Sequence, residues 1–168
     1  MKKILLVKCI SLVIICFSLG KLLAQSNPVL DTLQADGHLR IVAPTFKNLL
    51  TLVELPQSGF EDALKFYGYK PNMAEAKGTY KIESFQATYN IHKSNSEVEF
   101  YFSKMVGTLS SLKTEVKKRF PKSKITGEGT QIQIYEFEEK DALGAHAYML
   151  NIDANNGSSV FISLFMLY

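Results

Sequence analysis

Cysteine is nearly absent. Of 168 residues only Cys9 and Cys16 are cysteines, and both lie in an apolar stretch near the N-terminus. From Gln25 onward the chain therefore cannot hold a disulfide, a thiolate zinc site or a cysteine nucleophile. Histidine is scarce too, with His38, His92 and His146 alone, and no His-Glu-x-x-His spacing occurs. Zinc needs at least three protein ligands in one place, so neither a metal nor any other cofactor is expected. No Gly-x-Ser-x-Gly elbow is present, and Ser94, Ser96, Ser158 and Ser159 stand in or beside expected turns, where hydroxyls serve the local backbone. The "GEG" of residues 127–129 lacks the lysine and following helix of a phosphate-binding loop.

What is present begins with an expected secretory signal over residues 1–24. Lys2 and Lys3 form its basic start, residues 9–19 its apolar centre, and Ala24 a small residue for cleavage before Gln25. Lys8 and Lys21 bound the apolar run below the roughly 20 residues of a membrane span, so no transmembrane anchor is expected after cleavage. Ile15, rather than a small residue, precedes Cys16, which disfavours a lipoprotein. A periplasmic or extracellular location follows. Four of the 19 basic residues (Lys2, Lys3, Lys8 and Lys21) leave with the signal, so 15 face 16 acidic residues and the net charge is about −1. That balance gives no electrostatic argument for nucleic acid.

Beyond the signal, residues 25–43 read as an irregular arm with a short element at 39–42, and residues 44–168 as one α+β domain. Phe46, Leu49, Leu50 and Val53 recur at helical spacing, and Pro56 closes that helix. A second helix is expected over residues 59–67, with Ser58 and Glu61 as a capping box and Gly68 as its C-terminal stop. Leu109, Leu112, Val116 and Phe120 mark a third, with Thr108 or Ser111 as N-cap. Its last turn carries Lys117, Lys118 and Arg119, a solvated basic end opposing the helix dipole.

Between and after these helices the apolar period falls to two. Tyr80 and Ile82 alternate, the phase slips at Glu83-Ser84, and Phe85, Ala87, Tyr89 and Ile91 resume. The slip marks a bulge or a tight turn. Pairing His92 with Glu97 sets Ile91 opposite Val98, Tyr89 opposite Phe100 and Ala87 opposite Phe102, all on the core face. The stretch "TQIQIYEFE" alternates with an expected slip near Ile134-Tyr135, and "EKDALG" at 139–144 reads as a loop. Asn156-Gly157 is a strong hairpin turn, which sets Ile152 facing Phe161 and Tyr148 facing Phe165. Apolar on both faces, residues 160–166 are expected to lie centrally in the sheet or to be covered on both sides. Helix, polar stretch and three strands thus recur, giving two tandem α-β-β-β units at about 44–103 and 108–168, helices on one face of an antiparallel sheet.

Helical hairpin "FKNLLTLVELPQSGFEDALKFYGYKP" followed by antiparallel strands, repeated once in an exported chain, resembles the β-lactamase inhibitor protein layout. The single unit is similar to the small lipoprotein subunit of the outer-membrane barrel assembly machinery. The resemblance implies a non-catalytic protein that offers a sheet face or loops to a partner protein. It carries no signature residue across, and the inhibitor's disulfides have no counterpart here.

The expected register sends Asn90, His92, Glu99 and Tyr101 away from the core, and the expected slip displaces Tyr135 likewise. A tyrosine on a polar sheet face offers rigid area with a polar tip, so these five are the candidate partner-binding residues. The expected function is a non-enzymatic binding or accessory protein, with a protein partner or self-association. An envelope hydrolase assembled from residues distant in sequence, or a self-associating structural protein, are the alternatives. The carboxylates Glu136, Glu138, Glu139 and Asp141 read as a solvated edge.

Overall fold

The computed structural model describes residues 27–167 apart from 36, 104–108, 129, 142–143 and 155–158. The expected signal, the Asn156-Gly157 turn and the Thr108 cap lie outside these residues. The chain forms an α+β fold; among the described residues three helices lie on one face of an eight-stranded antiparallel sheet. No helix among the described residues is long and apolar enough to cross a membrane.

The arm is more regular than its sequence suggests: β1 (Thr32–Ala35) and β2 (Leu39–Val42) form a separate hairpin turned at Gly37, whose φ is +73°. Asn48 ties the chain before this hairpin to the helices. Its Nδ2 donates to the carbonyls of Asp31 and Ala43, each at 2.8 Å, and its Oδ1 accepts from the Asp31 amide. Asn48 itself belongs to α1 (Phe46–Glu54), capped by Thr45, whose Oγ1 accepts from the Asn48 amide. The face α1 buries is Phe46, Asn48, Leu49, Leu52 and Val53, with Leu50 half-buried at its border. It lies over the centre of the sheet.

Helix α2 (Gln57–Phe66) starts two residues earlier than the Ser58 box predicts. Pro56 takes the N-cap position, Ser58 sits inside the first turn, and Glu61 instead accepts from Gln57 Nε2 at 3.3 Å. Proline has no side-chain acceptor to offer the first-turn amides, so α2 begins without a side-chain cap. Gly68, at φ +87°, provides the expected stop. Helix α3 (Leu109–Arg119) buries Leu109, Leu112 and Val116, with Ser111 inside the helix rather than capping it.

The strands are β3 (Lys70–Pro71), β4 (Thr79–Glu83), β5 (Thr88–Lys93), β6 (Glu97–Phe102), β7 (Lys124–Thr126), β8 (Ile132–Asp141), β9 (Gly144–Asp153) and β10 (Val160–Leu167). Their order is β3-β4-β5-β6-β10-β9-β8-β7. Read outward from the β6–β10 seam, the two halves use corresponding strands in the same sequence. The slip at Glu83-Ser84 is a tight turn, closed by Ser84 N–H to Ala87 O at 2.9 Å, and Phe85 at its tip is fully exposed rather than core.

Two registers differ from expectation. In the β5–β6 hairpin Lys93, Ile91 and Tyr89 face Val98, Phe100 and Phe102, a shift of two residues, which preserves every side chain's face. In the β9–β10 pair Ile152 faces Ile162 and Tyr148 faces Met166, a shift of one residue, which exchanges the faces. Val160, Ile162 and Leu164 consequently belong to the core, and Phe161 and Phe165 to the opposite face. β10 is central in the sheet, as its doubly apolar pattern predicts, and Ile162 and Leu164 are wholly buried. The expected loop at 139–144 is absorbed by β8 and β9, which pair out to Asp141 and Gly144.

Aromatic rings knit the helices to the second half. Phe120 stacks on Phe137 at 4.2 Å between ring centres, Phe137 stacks on Tyr148, and Phe46 meets Phe120 and Phe137 edge-on. Arg119 at the end of α3 lies over the rings of Phe46 and Phe120.

Candidate functional site

The sheet face away from the helices carries Lys81 and Glu83 of β4, then Asn90 and His92 of β5 and Glu97, Glu99 and Tyr101 of β6. It continues through Phe161, Ser163 and Phe165 of β10 to Met149, Asn151 and Asp153 of β9. Four of the five predicted residues, Asn90, His92, Glu99 and Tyr101, gather here around one hollow of about 430 Å³. Thr79 and Phe161 complete its sheet side, and Glu75 with Ala76, from the loop between β3 and β4, stands beside it. That loop is fastened to the face by Asn72 Nδ2, which donates to Asn90 Oδ1 at 3.2 Å. Tyr101 is 44 % exposed; the other three are half-buried.

Tyr135 is a correction. β8 runs without a slip, so Gln133, Tyr135 and Phe137 share the core face, and Ile132 and Ile134 take the outer one. The Tyr135 hydroxyl donates to Gln133 Oε1 at 2.8 Å, and its ring is wholly buried. It is no partner-binding residue. What moved it is the Gln133 pairing, which lets a buried strand carry a phenol and an amide as one satisfied unit.

Strand pairing arranges the outer face in rows. The middle row reads Thr79, His92, Glu99, Ser163, Asn151 and Ile134, each directly across from the next. His92 Nδ1 is hydrogen-bonded to Thr79 Oγ1 at 3.0 Å. Histidine, carboxylate and serine thus stand in line, but with the carboxylate in the middle. A nucleophile relay needs the imidazole between serine and acid, and two strand spacings place His92 about 9–10 Å from Ser163 along the sheet. The row is therefore a polar strip whose order is not that of a Ser-His-acid triad.

Electrostatically the strip is short of cations. Lys81 is paired with Glu83 at 2.8 Å and Lys124 with Glu136 at 3.0 Å, while Glu97 and Glu99, two apart on one face of β6, have no ion pair among the described residues. Burial and then the neighbouring Glu99 charge push the Glu97 carboxyl up to about 7, against a smaller opposing effect of the Ser163 hydroxyl. Ser163 is 0 % exposed, and its hydroxyl lies near enough to the Glu97 carboxyl to favour the ionised form without reaching full hydrogen-bonding geometry; Asn151 Oδ1 is shielded and has no donor.

His38 sits in the β1–β2 turn and His146 on the helix-side face of β9, so the structure does not bring the histidines together. Among the described residues no group of three or more His, Asp or Glu is placed to hold a metal. A second hollow, of about 570 Å³, lies where the end of α3 meets β8 and β9, lined by Arg119, Phe120, Lys122, Lys124, Glu136 and Leu167 among others. The basic group around it is partly engaged, since Lys117 pairs with Glu128 and Lys124 with Glu136. Glu138 is exposed and Glu136 half-buried, while the Glu139 and Asp141 side chains lie outside the description.

Phe161, Ser163, Glu97 and Glu75 are absent from the sequence-based candidates. The signal for the first two was present: in "VFISLFML" the single serine shares parity with Phe161 and Phe165, which marks that parity as the outer one. The chain matches no protein-family model, no curated protein and no solved structure.

Proposed function

We propose that this protein is an exported, non-enzymatic binding or accessory protein of the periplasm or cell surface, which presents the helix-free face of its sheet to a partner protein. The observation that carries this reading is the gathering of Asn90, His92, Glu99 and Tyr101 with Phe161 around one hollow on that face. An aromatic pair amid half-buried polar groups has the composition of an interface centre. The misordered His-Glu-Ser row supports a binding role over a hydrolase. The matching strand order of the two halves supports their reading as tandem α-β-β-β units, and the leader's charge and hydropathy pattern supports export.

A photo-crosslinking residue in place of Tyr101, tested in native envelopes, is the direct experiment. Tyr101 is expected to give a discrete adduct, and the same group in place of the exposed Phe66 on α2 to give none. Equal labelling from both positions, or none from Tyr101, would overturn the proposal.

A further inference from the structure

We propose that the outer face accepts an arginine side chain of the partner, its guanidinium held by Glu97 and Glu99 and its flank laid against Tyr101 and Phe161. This rests on the partner-binding reading above and adds the chemistry of the group bound.

The inference follows from an inventory of donors and acceptors. Glu97 and Glu99 are two carboxyls on adjacent same-face positions of β6, with no lysine or arginine paired to them among the described residues; the one basic group across from Glu99 is the His92 imidazole, whose Nδ1 is engaged by Thr79. Directly across the seam from Glu99 stands Ser163, wholly buried on this face with its Oγ outside any hydrogen-bonding geometry. Next in the row, Asn151 Oδ1 is a shielded acceptor with no donor. Buried polar groups are ordinarily satisfied; the Ser163 hydroxyl can donate to Glu97, but the two carboxyls and Asn151 Oδ1 together remain short of N–H donors and positive charge.

A guanidinium supplies both: five N–H donors, a fixed positive charge and no acceptor of its own. Its planar fork can engage two carboxylates at once, and its flat face stacks on aromatic rings. Tyr101 and Phe161 are direct cross-strand partners one row from Glu99 and Ser163, and both line the hollow. A lysine ammonium would meet the charge but neither the fork nor the stack. Among the described residues no third acidic or histidine ligand is placed to join the carboxylate pair around one ion, so a divalent cation would find too few partners there.

The test uses capped tripeptides centred on arginine, on lysine and on citrulline, the neutral isostere of arginine, titrated into the protein beyond residue 24 while backbone amide resonances are followed. Saturable shifts at Glu97, Glu99, Tyr101 and Ser163 are expected with the arginine peptide. Citrulline should bind at least about tenfold more weakly, the loss expected for a charge-assisted hydrogen bond. Glu97→Gln and Glu99→Gln, both at half-buried positions that tolerate an amide, should each weaken the arginine peptide while leaving the rest of the spectrum in place. Citrulline matching arginine, lysine matching arginine, calcium chloride producing the same shifts, or no saturable shift at all would each overturn the assignment. Should Tyr101 crosslink a partner while the peptides fail, the binding reading stands and the guanidinium falls. Should the arginine peptide bind while no adduct forms, the reverse holds.

Discussion

Lys93 Nζ donates to Val53 O at 2.5 Å and to Leu52 O at 3.0 Å, so a lysine on the core face of β5 closes the C-terminal end of α1. These carbonyls belong to the last turn, where a helix has no backbone donors left to offer. Burial holds the amine well below its ordinary 10.5, at about 8.

Replacing Lys93 with Met should therefore destabilise the protein by about 1–2 kcal/mol near pH 7, the cost of orphaned carbonyls less the relief of a buried charge. The pH dependence gives a second readout. Because the folded amine titrates lower than the unfolded one, the unfolded chain binds more protons between about pH 8 and 10.5, and stability rises with pH across that window. The Lys93→Met protein should lack the rise in urea unfolding.

Glu97 runs the other way. Its folded carboxyl titrates near 7 against an ordinary 4.5, so its contribution is fully present below about pH 4.5 and is lost as pH climbs through 7. His92 on β5 and Glu99 on β6 share its face, so the parent-minus-variant difference, and not the parent curve alone, is the readout. Glu97→Gln, which copies the protonated form, should flatten the fall between about pH 5 and 7 and leave the protein more stable than the parent at pH 8. A parent and variant with parallel curves would contradict this.

Asn48 carries a different load. Asn48→Ala removes the acceptor for the Asp31 amide and the donor for two carbonyls, and should cost about 2–4 kcal/mol. Hydrogen exchange should localise the damage, with amides of the β1–β2 hairpin losing protection before those of the central strands.

Two glycines separate backbone strain from close contact. Gly37 (φ +73°) has open space where a Cβ would stand, whereas at Gly78 (φ +95°) that Cβ would meet Lys93 O at 2.7 Å. Gly37→Ala should cost about 1 kcal/mol, the left-handed penalty alone. Gly78→Ala should cost clearly more, because the obstacle is backbone, and thermal unfolding of the pair measures the difference.

The helices and the first hairpin were legible because each depends on its own neighbourhood: helical spacing in "FKNLLTLV", the Gly68 stop, alternation in "TYNIHK". The two-residue register error there was harmless, since it kept Asn90, His92, Glu99 and Tyr101 outside. In the last hairpin the expected Asn-Gly turn fixed the register by one residue too little, and that exchanged Phe161 and Phe165 for Ile162 and Leu164. A period of two carries no redundancy against such a slip when both parities are apolar, apart from the single Ser163. Tyr135 was misplaced for a related reason: its partner Gln133 looks like a surface residue until the hydrogen bond between them is seen. The loop that brings Glu75 to the site has no periodicity to read.

The seam between β6 and β10 has a kinetic consequence. Every other neighbouring pair in the large sheet joins strands consecutive in the chain, but Val98 and Leu164 must find each other across the whole second half. Hairpins on either side can form locally, with little loss of chain entropy, before the long closure is made. Folding should therefore be limited by zipping the middle of the sheet, the order opposite to growth from a central strand outward, and Ile162→Val should speed unfolding more than it slows folding.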